Sequence, residues 1–126
     1  MSQEKRIFDL ENRLIDFAVL IIETRENIFH THAGNHIAGQ LVRSGTSPAL
    51  HYGEAQSAES RNDFIHKLKI LLKELRETLV GLKIIKRVPL TKKLELIDKG
   101  TVECNELISI FVKSIETAKD NNEKKK

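Results

Sequence analysis

The 126-residue chain has no Trp, one Cys, one Tyr, two Pro and six Gly. A lone cysteine, Cys104, excludes a disulfide framework within the chain and suits a reducing compartment. So few prolines and glycines leave little to interrupt long helices. No apolar run approaches the roughly 20 residues that a membrane-crossing helix needs. The opening Met-Ser-Gln-Glu-Lys-Arg leads into a segment broken by Asp9, Glu11 and Asp16. That pattern lacks the apolar core of a signal peptide, so the expected compartment is the cytoplasm. A Gly-x-x-x-x-Gly-Lys-[Ser/Thr] phosphate loop is also missing. Lys+Arg is 21 against Asp+Glu 18, with 31% charged and 40% hydrophobic residues. Those proportions describe one globular domain. They exclude a secreted mini-protein, a membrane-spanning protein and a multidomain enzyme.

What is present is helical periodicity. From Gln3 to about Phe29, apolar residues fall at Ile7, Leu10, Leu14, Phe17, Ala18, Ile21 and Ile28, on one side of a helix with 3.6 residues per turn. A second helix is expected from His32–His36 to about Gln56, poor in large apolar residues and rich in small ones that let a neighbouring backbone come close. Pro48 lacks an N–H and crowds the carbonyl four residues back, so a kink between Ser44 and Pro48 is expected, with a complete break as the competing reading. Ser60, with Asp63 three residues later, reads as the cap of a third helix running to about Lys86. Its stripe is Phe64, Leu68, Leu71, Leu72, Leu75, Leu79 and Leu82. Val88-Pro89 stops it. In the fourth helix Leu90, Leu94, Ile97, Thr101, Cys104, Ile108, Phe111 and Ile115 form a heptad-like seam. The fold expected is all-α: an antiparallel up-down-up-down four-helix bundle over residues 1–118, with helix 2 kinked near Pro48 and a disordered basic tail over 119–126.

Some large apolar residues fall outside these stripes. Val19, Leu20 and Ile22 in helix 1, Ile70, Val80 and Ile84 in helix 3, and Leu96, Leu107 and Ile110 in helix 4 lie off the core side. Scattered exposed aliphatics are ordinary, but recurrence on three helices favours a protein–protein interface. A homo-oligomer is its economical form, since one chain supplies both surfaces.

Charge is uneven. Between His66 and Lys93 nine basic residues face two acidic ones, leaving the remainder of the chain net negative. Lys69, Lys73, Arg76, Lys83 and Arg87 share one edge of helix 3 and are the candidate nucleic-acid contacts, since a row of cations on a rod neutralises successive phosphates. A solvated face serving solubility is the plainer reading. No aromatic side chains are interleaved for stacking, so such binding is expected to ignore base sequence. His32 and His36 are spaced for one helix face, but a metal site needs a third ligand that the sequence does not place, and no cofactor is expected. Ser44, Thr46 and Ser47 near His51 lack the strand that a nucleophile elbow requires, and hydroxyls in such a helix bond back to the preceding turn. Cys104 sits on the core seam. No catalysis is expected.

The stretch Gln40-Leu-Val-Arg-Ser-Gly-Thr-Ser-Pro-Ala-Leu-His-Tyr-Gly-Glu-Ala-Gln56, followed by Ala58-Glu-Ser and Asp63-Phe-Ile-His-Lys-Leu-Lys-Ile70, resembles the bacterial four helix bundle protein family, also called the ribosomal-RNA intervening-sequence or S-twenty-three family. The matched motif positions are Gln40, Arg43, Ser44, Gly45, Ser47 and Glu54, with Lys67 beyond them. The chain departs from the family pattern at Pro48, where Ile is frequent, and at His51, where Asn is usual. The resemblance implies a bundle that assembles as a ring, typically a pentamer, encoded within or outside intervening sequences of large-subunit ribosomal RNA genes. It is also similar to the accessory proteins of diversity-generating retroelements, basic barrels that bind nucleic acid and a reverse transcriptase. Arg43 and Glu54 are candidates for a polar pairing that fixes helix 2 against a neighbour, with a simple exposed pair as the equal alternative. The expected partners are therefore further copies of the chain and RNA or DNA. The alternative is a protein-interaction adaptor with no nucleic-acid role.

Overall fold

Four helices follow one another: α1 (Gln3–Glu26), α2 (His32–Gln56), α3 (Arg61–Arg87) and α4 (Leu94–Lys124). This computed structural model describes residues 3–124. Connections this short make neighbouring helices antiparallel. α1 packs on α2, α2 on α3 and α3 on α4, and α4 closes more loosely on α1. The architecture is the expected up-down-up-down bundle. An isolated bridge pairs Ile28 with Thr91 and joins the α1–α2 and α3–α4 connections at one end of the bundle. There the Phe29 N–H donates to the Leu90 carbonyl at 2.8 Å and the Thr91 hydroxyl to the Asn27 carbonyl at 2.7 Å.

Helix ends follow local chemistry. The Thr31 hydroxyl accepts from the Gly34 N–H at 3.0 Å, and Ser60 caps α3 by accepting from the Asp63 N–H at 3.0 Å. Each satisfies a first-turn donor that the helix itself leaves orphaned. α2 runs through Pro48 without a break. Ser44, Thr46 and Ser47 all turn their hydroxyls back onto the preceding turn, to the carbonyls of Leu41, Val42 and Arg43.

The core is built from Leu14, Phe17 and Ile21 of α1, Ala38, Leu41 and Tyr52 of α2, Leu68, Leu71, Leu75 and Leu82 of α3, and Ile97, Cys104, Leu107 and Phe111 of α4. The rings of Tyr52 and Phe111 meet edge to face with centroids 5.8 Å apart. Three sequence expectations need correction. In α3, Thr78 takes a core position and Ile65 and Ile85 are buried, while Phe64, Leu72 and Leu79 are only half-buried. A polar side chain can sit there because Thr78 Oγ1 lies 2.9 Å from both Ser44 Oγ and the Glu74 carbonyl. Leu20 and Leu107 are buried, at 8% and 0% exposure, and so are not spare surface. α4 extends six residues beyond Ala118, the last buried position among the described residues, to Lys124. Propagating an established helix fixes one residue per hydrogen bond, so a polar extension needs no core beneath it. The end of the expected tail, Lys125 and Lys126, lies outside the described residues.

Candidate functional site

All five cations read from the sequence, Lys69, Lys73, Arg76, Lys83 and Arg87, are exposed on α3. At 1.5 Å per residue the row is about 27 Å long. Among the described residues none of the five makes an ion pair or a side-chain hydrogen bond. The other α3 lysines with partners differ in this respect: Lys67 Nζ meets Glu54 Oε2 at 3.4 Å, and Lys86 Nζ donates to Asp98 Oδ1 at 2.6 Å. Among the described residues the row therefore carries charge that no ion pair neutralises.

Beside it runs a groove of about 720 Å³ between α2 and α3. Its apolar lining comes from Ile37, Leu41, Leu72, Val80 and Ile84; its cations are Arg43, Lys69, Lys73 and Arg76, set against Glu77 and a Glu74 that is held by His51, so the groove stays net positive. Arg43 was legible only as a motif residue; the tertiary fold adds it to the basic set across from α3. Lys83 and Arg87 are not part of the groove lining. Of the apolar residues expected at an interface, Val80 (55%) and Ile84 (41%) are exposed at this groove, whereas Val19 (58%) and Ile22 (48%) are exposed on α1. Ile70 is half-buried. The exposed members of that expected set thus fall on two faces, while Leu50 on α2 and Val102 on α4 are exposed elsewhere.

A polar seam holds the groove walls together. Ser44 meets Thr78, and His51 Nδ1 donates to Glu74 Oε1 at 2.5 Å. The Glu54–Lys67 pair closes the far end of the seam. Glu54 does pair across to a neighbouring helix, as expected, but its partner is Lys67. Arg43 is exposed and has no ion-pair partner among the described residues, so the polar pairing fails for Arg43 and the alternative of simple exposure holds for it.

On the opposite side Arg13 bridges α1 to α4. Its Nη2 donates to Glu103 Oε1 at 2.6 Å and to Glu106 Oε2 at 2.5 Å. The hydrogen bond to Glu103 outweighs burial and raises the guanidinium pKa above its ordinary value. Next to it a cleft of about 740 Å³ opens over Phe17, Leu20 and Val102, rimmed by Asp16, Asp98, Lys99 and Glu103.

The remaining candidates are not brought together. His32 and His36 are exposed in the first two turns of α2, whereas Cys104 is buried between α3 and α4, its thiol donating to the Leu75 carbonyl at 3.1 Å. Burial pushes that thiol up to about 12, so it sits in the core as a packed neutral group. Among the described residues, no helix is long and apolar enough to cross a membrane.

A search of solved structures finds a protein of unknown function from the S23 ribosomal protein family of Bacteroides thetaiotaomicron VPI-5482, with a TM-score of 0.76 and 30% identity. The match covers 83% of this chain and 96% of that one. The chain belongs to the S23 ribosomal protein family. Neither a protein-family model nor a curated protein matches the sequence. For this S23-family protein the relationship explains the helical scaffold, while the functional reading rests on its own surface.

Proposed function

We propose that this S23-family protein is a non-enzymatic scaffold that assembles with copies of itself, as a pentameric ring on the family resemblance. On this reading it binds RNA or DNA without base specificity along the outer edge of α3. The observation carrying it is the row of five exposed cations with no carboxylate partner among the described residues. Phosphate groups are the complement such a row lacks. Nothing aromatic alternates with these cations along α3, so contact is to the backbone and not to base edges.

Mobility shift of a generic duplex at rising salt tests this reading. Neutralising about five phosphates gives a slope of log affinity against log salt of roughly −4 to −5. Lys83→Glu with Arg87→Glu should flatten that slope and weaken binding at least tenfold. Absence of any salt-sensitive shift by the unaltered protein overturns the nucleic-acid reading. The exposed aliphatics Val19, Val80, Ile84 and Val102 support a second reading, a protein-interaction adaptor. A partner captured equally well with and without nuclease favours it.

A further inference from the structure

Two faces of the bundle are complementary in both charge and apolarity. Every exposed charge on α1 from Asp9 to Glu26 is acidic: Asp9, Glu11, Asp16, Glu23 and Glu26. Of the two arginines there, Arg13 is occupied by Glu103 and Glu106, and Arg25 is half-buried. Along the outside of this helix Glu11, Ile15, Val19, Ile22 and Glu26 follow steps of four, four, three and four, which places them in one line about 22 Å long. Its three aliphatics are 46%, 58% and 48% exposed. On α3, Lys69, Lys73, Arg76, Val80 and Ile84 follow the mirrored steps of four, three, four and four, again about 22 Å. That line forms one wall of the groove to which α2 contributes Arg43 and Ile37.

We infer that the α1 ridge of one copy seats in the α2–α3 groove of the next. Its aliphatics cover Val80, Ile84 and Ile37, and the carboxylates at one end of it, Glu23 and Glu26, meet Arg43, Lys69, Lys73 and Arg76. Pairing each face with itself would set carboxylates against carboxylates, or cations against cations, so the contact is heterologous and leads from copy to copy. A nucleic acid in the groove would neutralise the cations but leave the aliphatics of both faces wet. A second copy covers both, and ridge and groove are then supplied in equal number. The inference rests on the assembly reading above and leaves Lys83 and Arg87 of each copy, outside the groove lining, as the nucleic-acid edge, so about five phosphates are reached only by two to three neighbouring copies together.

The test is absolute mass by multi-angle light scattering on the nuclease-treated full chain, with far-UV circular dichroism to confirm helicity. The unaltered protein should run at a multiple of 14.4 kDa. The α1 variant (Glu11→Lys, Glu23→Lys, Glu26→Lys) and the groove variant (Lys69→Glu, Lys73→Glu, Arg76→Glu) should each fall to the single-chain mass. Carrying both sets in one chain should restore the multiple, because the charges are exchanged and remain opposite. If a triple variant loses helicity, Val19→Asp and Val80→Asp serve instead; both positions are exposed, and each variant should fall to single-chain mass while staying helical. An assembled unaltered protein whose variants all stay assembled overturns the ridge-in-groove contact and leaves assembly standing. Failure of the combined variant to reassemble overturns the charge pairing. A single-chain mass for the unaltered protein overturns both this inference and the assembly reading.

Discussion

Gly45 offers a test of the packing between α1 and α2. A Cβ placed on it would lie 2.7 Å from Ile21 Cγ1, 2.8 Å from Cγ2 and 3.1 Å from Cβ. Ile21 is 0% exposed, and its β-branched side chain has no rotamer that withdraws both γ carbons at once. Gly45→Ala gains about 1 kcal/mol of helix propensity and meets an overpacking cost of about 1–3 kcal/mol. With two close γ carbons and a fully buried neighbour, the upper part of that range applies, giving a net loss of about 1–2 kcal/mol. Gly53→Ala is the control on the same helix: its Cβ would meet nothing within 4 Å, so it should gain about 1 kcal/mol. Urea unfolding followed at 222 nm, at one protein concentration, should show the two midpoints moving in opposite directions, each by about 0.5–1 M. Ile21→Ala removes both γ carbons, so the double-mutant cycle with Gly45→Ala should return a favourable coupling of about 1–2 kcal/mol. A Gly45→Ala protein as stable as the Gly53→Ala protein would refute the close approach of the two helices at this point.

Further outcomes follow from individual contacts. Thr78→Val keeps the shape but deletes the Ser44–Thr78 hydrogen bond in the core, and should cost about 1 kcal/mol in the same urea assay. His51→Ala leaves the half-buried Glu74 carboxylate without its side-chain partner and should cost about 1–3 kcal/mol. Arg13→Ala should cost no more than about 1 kcal/mol, falling with added salt, because its pairs with Glu103 and Glu106 remain partly solvated. The Cys104 thiol should react with a chromogenic disulfide only as fast as the protein opens. Because its folded pKa is raised, its stabilising effect is intact below about pH 8.5, where the unfolded thiol begins to ionise. That effect is then lost as pH climbs towards the folded value of about 12. Unfolding midpoints that do not fall between pH 8.5 and 10.5 in the unaltered protein relative to Cys104→Ala count against it.

Element existence was determined by the sequence, because a 3.6-residue apolar period, a Ser60 cap and a Val88-Pro89 stop act within a turn or two of themselves. The row of α3 cations was legible for the same reason: it lies on one continuous rod. Which apolar residues are spare depended on the packing of neighbours. Leu20 and Leu107 look lateral on an isolated helix and are covered in the bundle, whereas Thr78 looks polar and is buried because Ser44, 34 residues away, accepts it. The partner of Glu54, the joining of Arg43 to the α3 cations and the separation of an acidic ridge from a basic groove all needed the tertiary structure. Each depends on the rotation of one helix against another, which is set by contacts distant in sequence. The local pattern could fix what each rod carries, and only packing could decide which way each rod turns it.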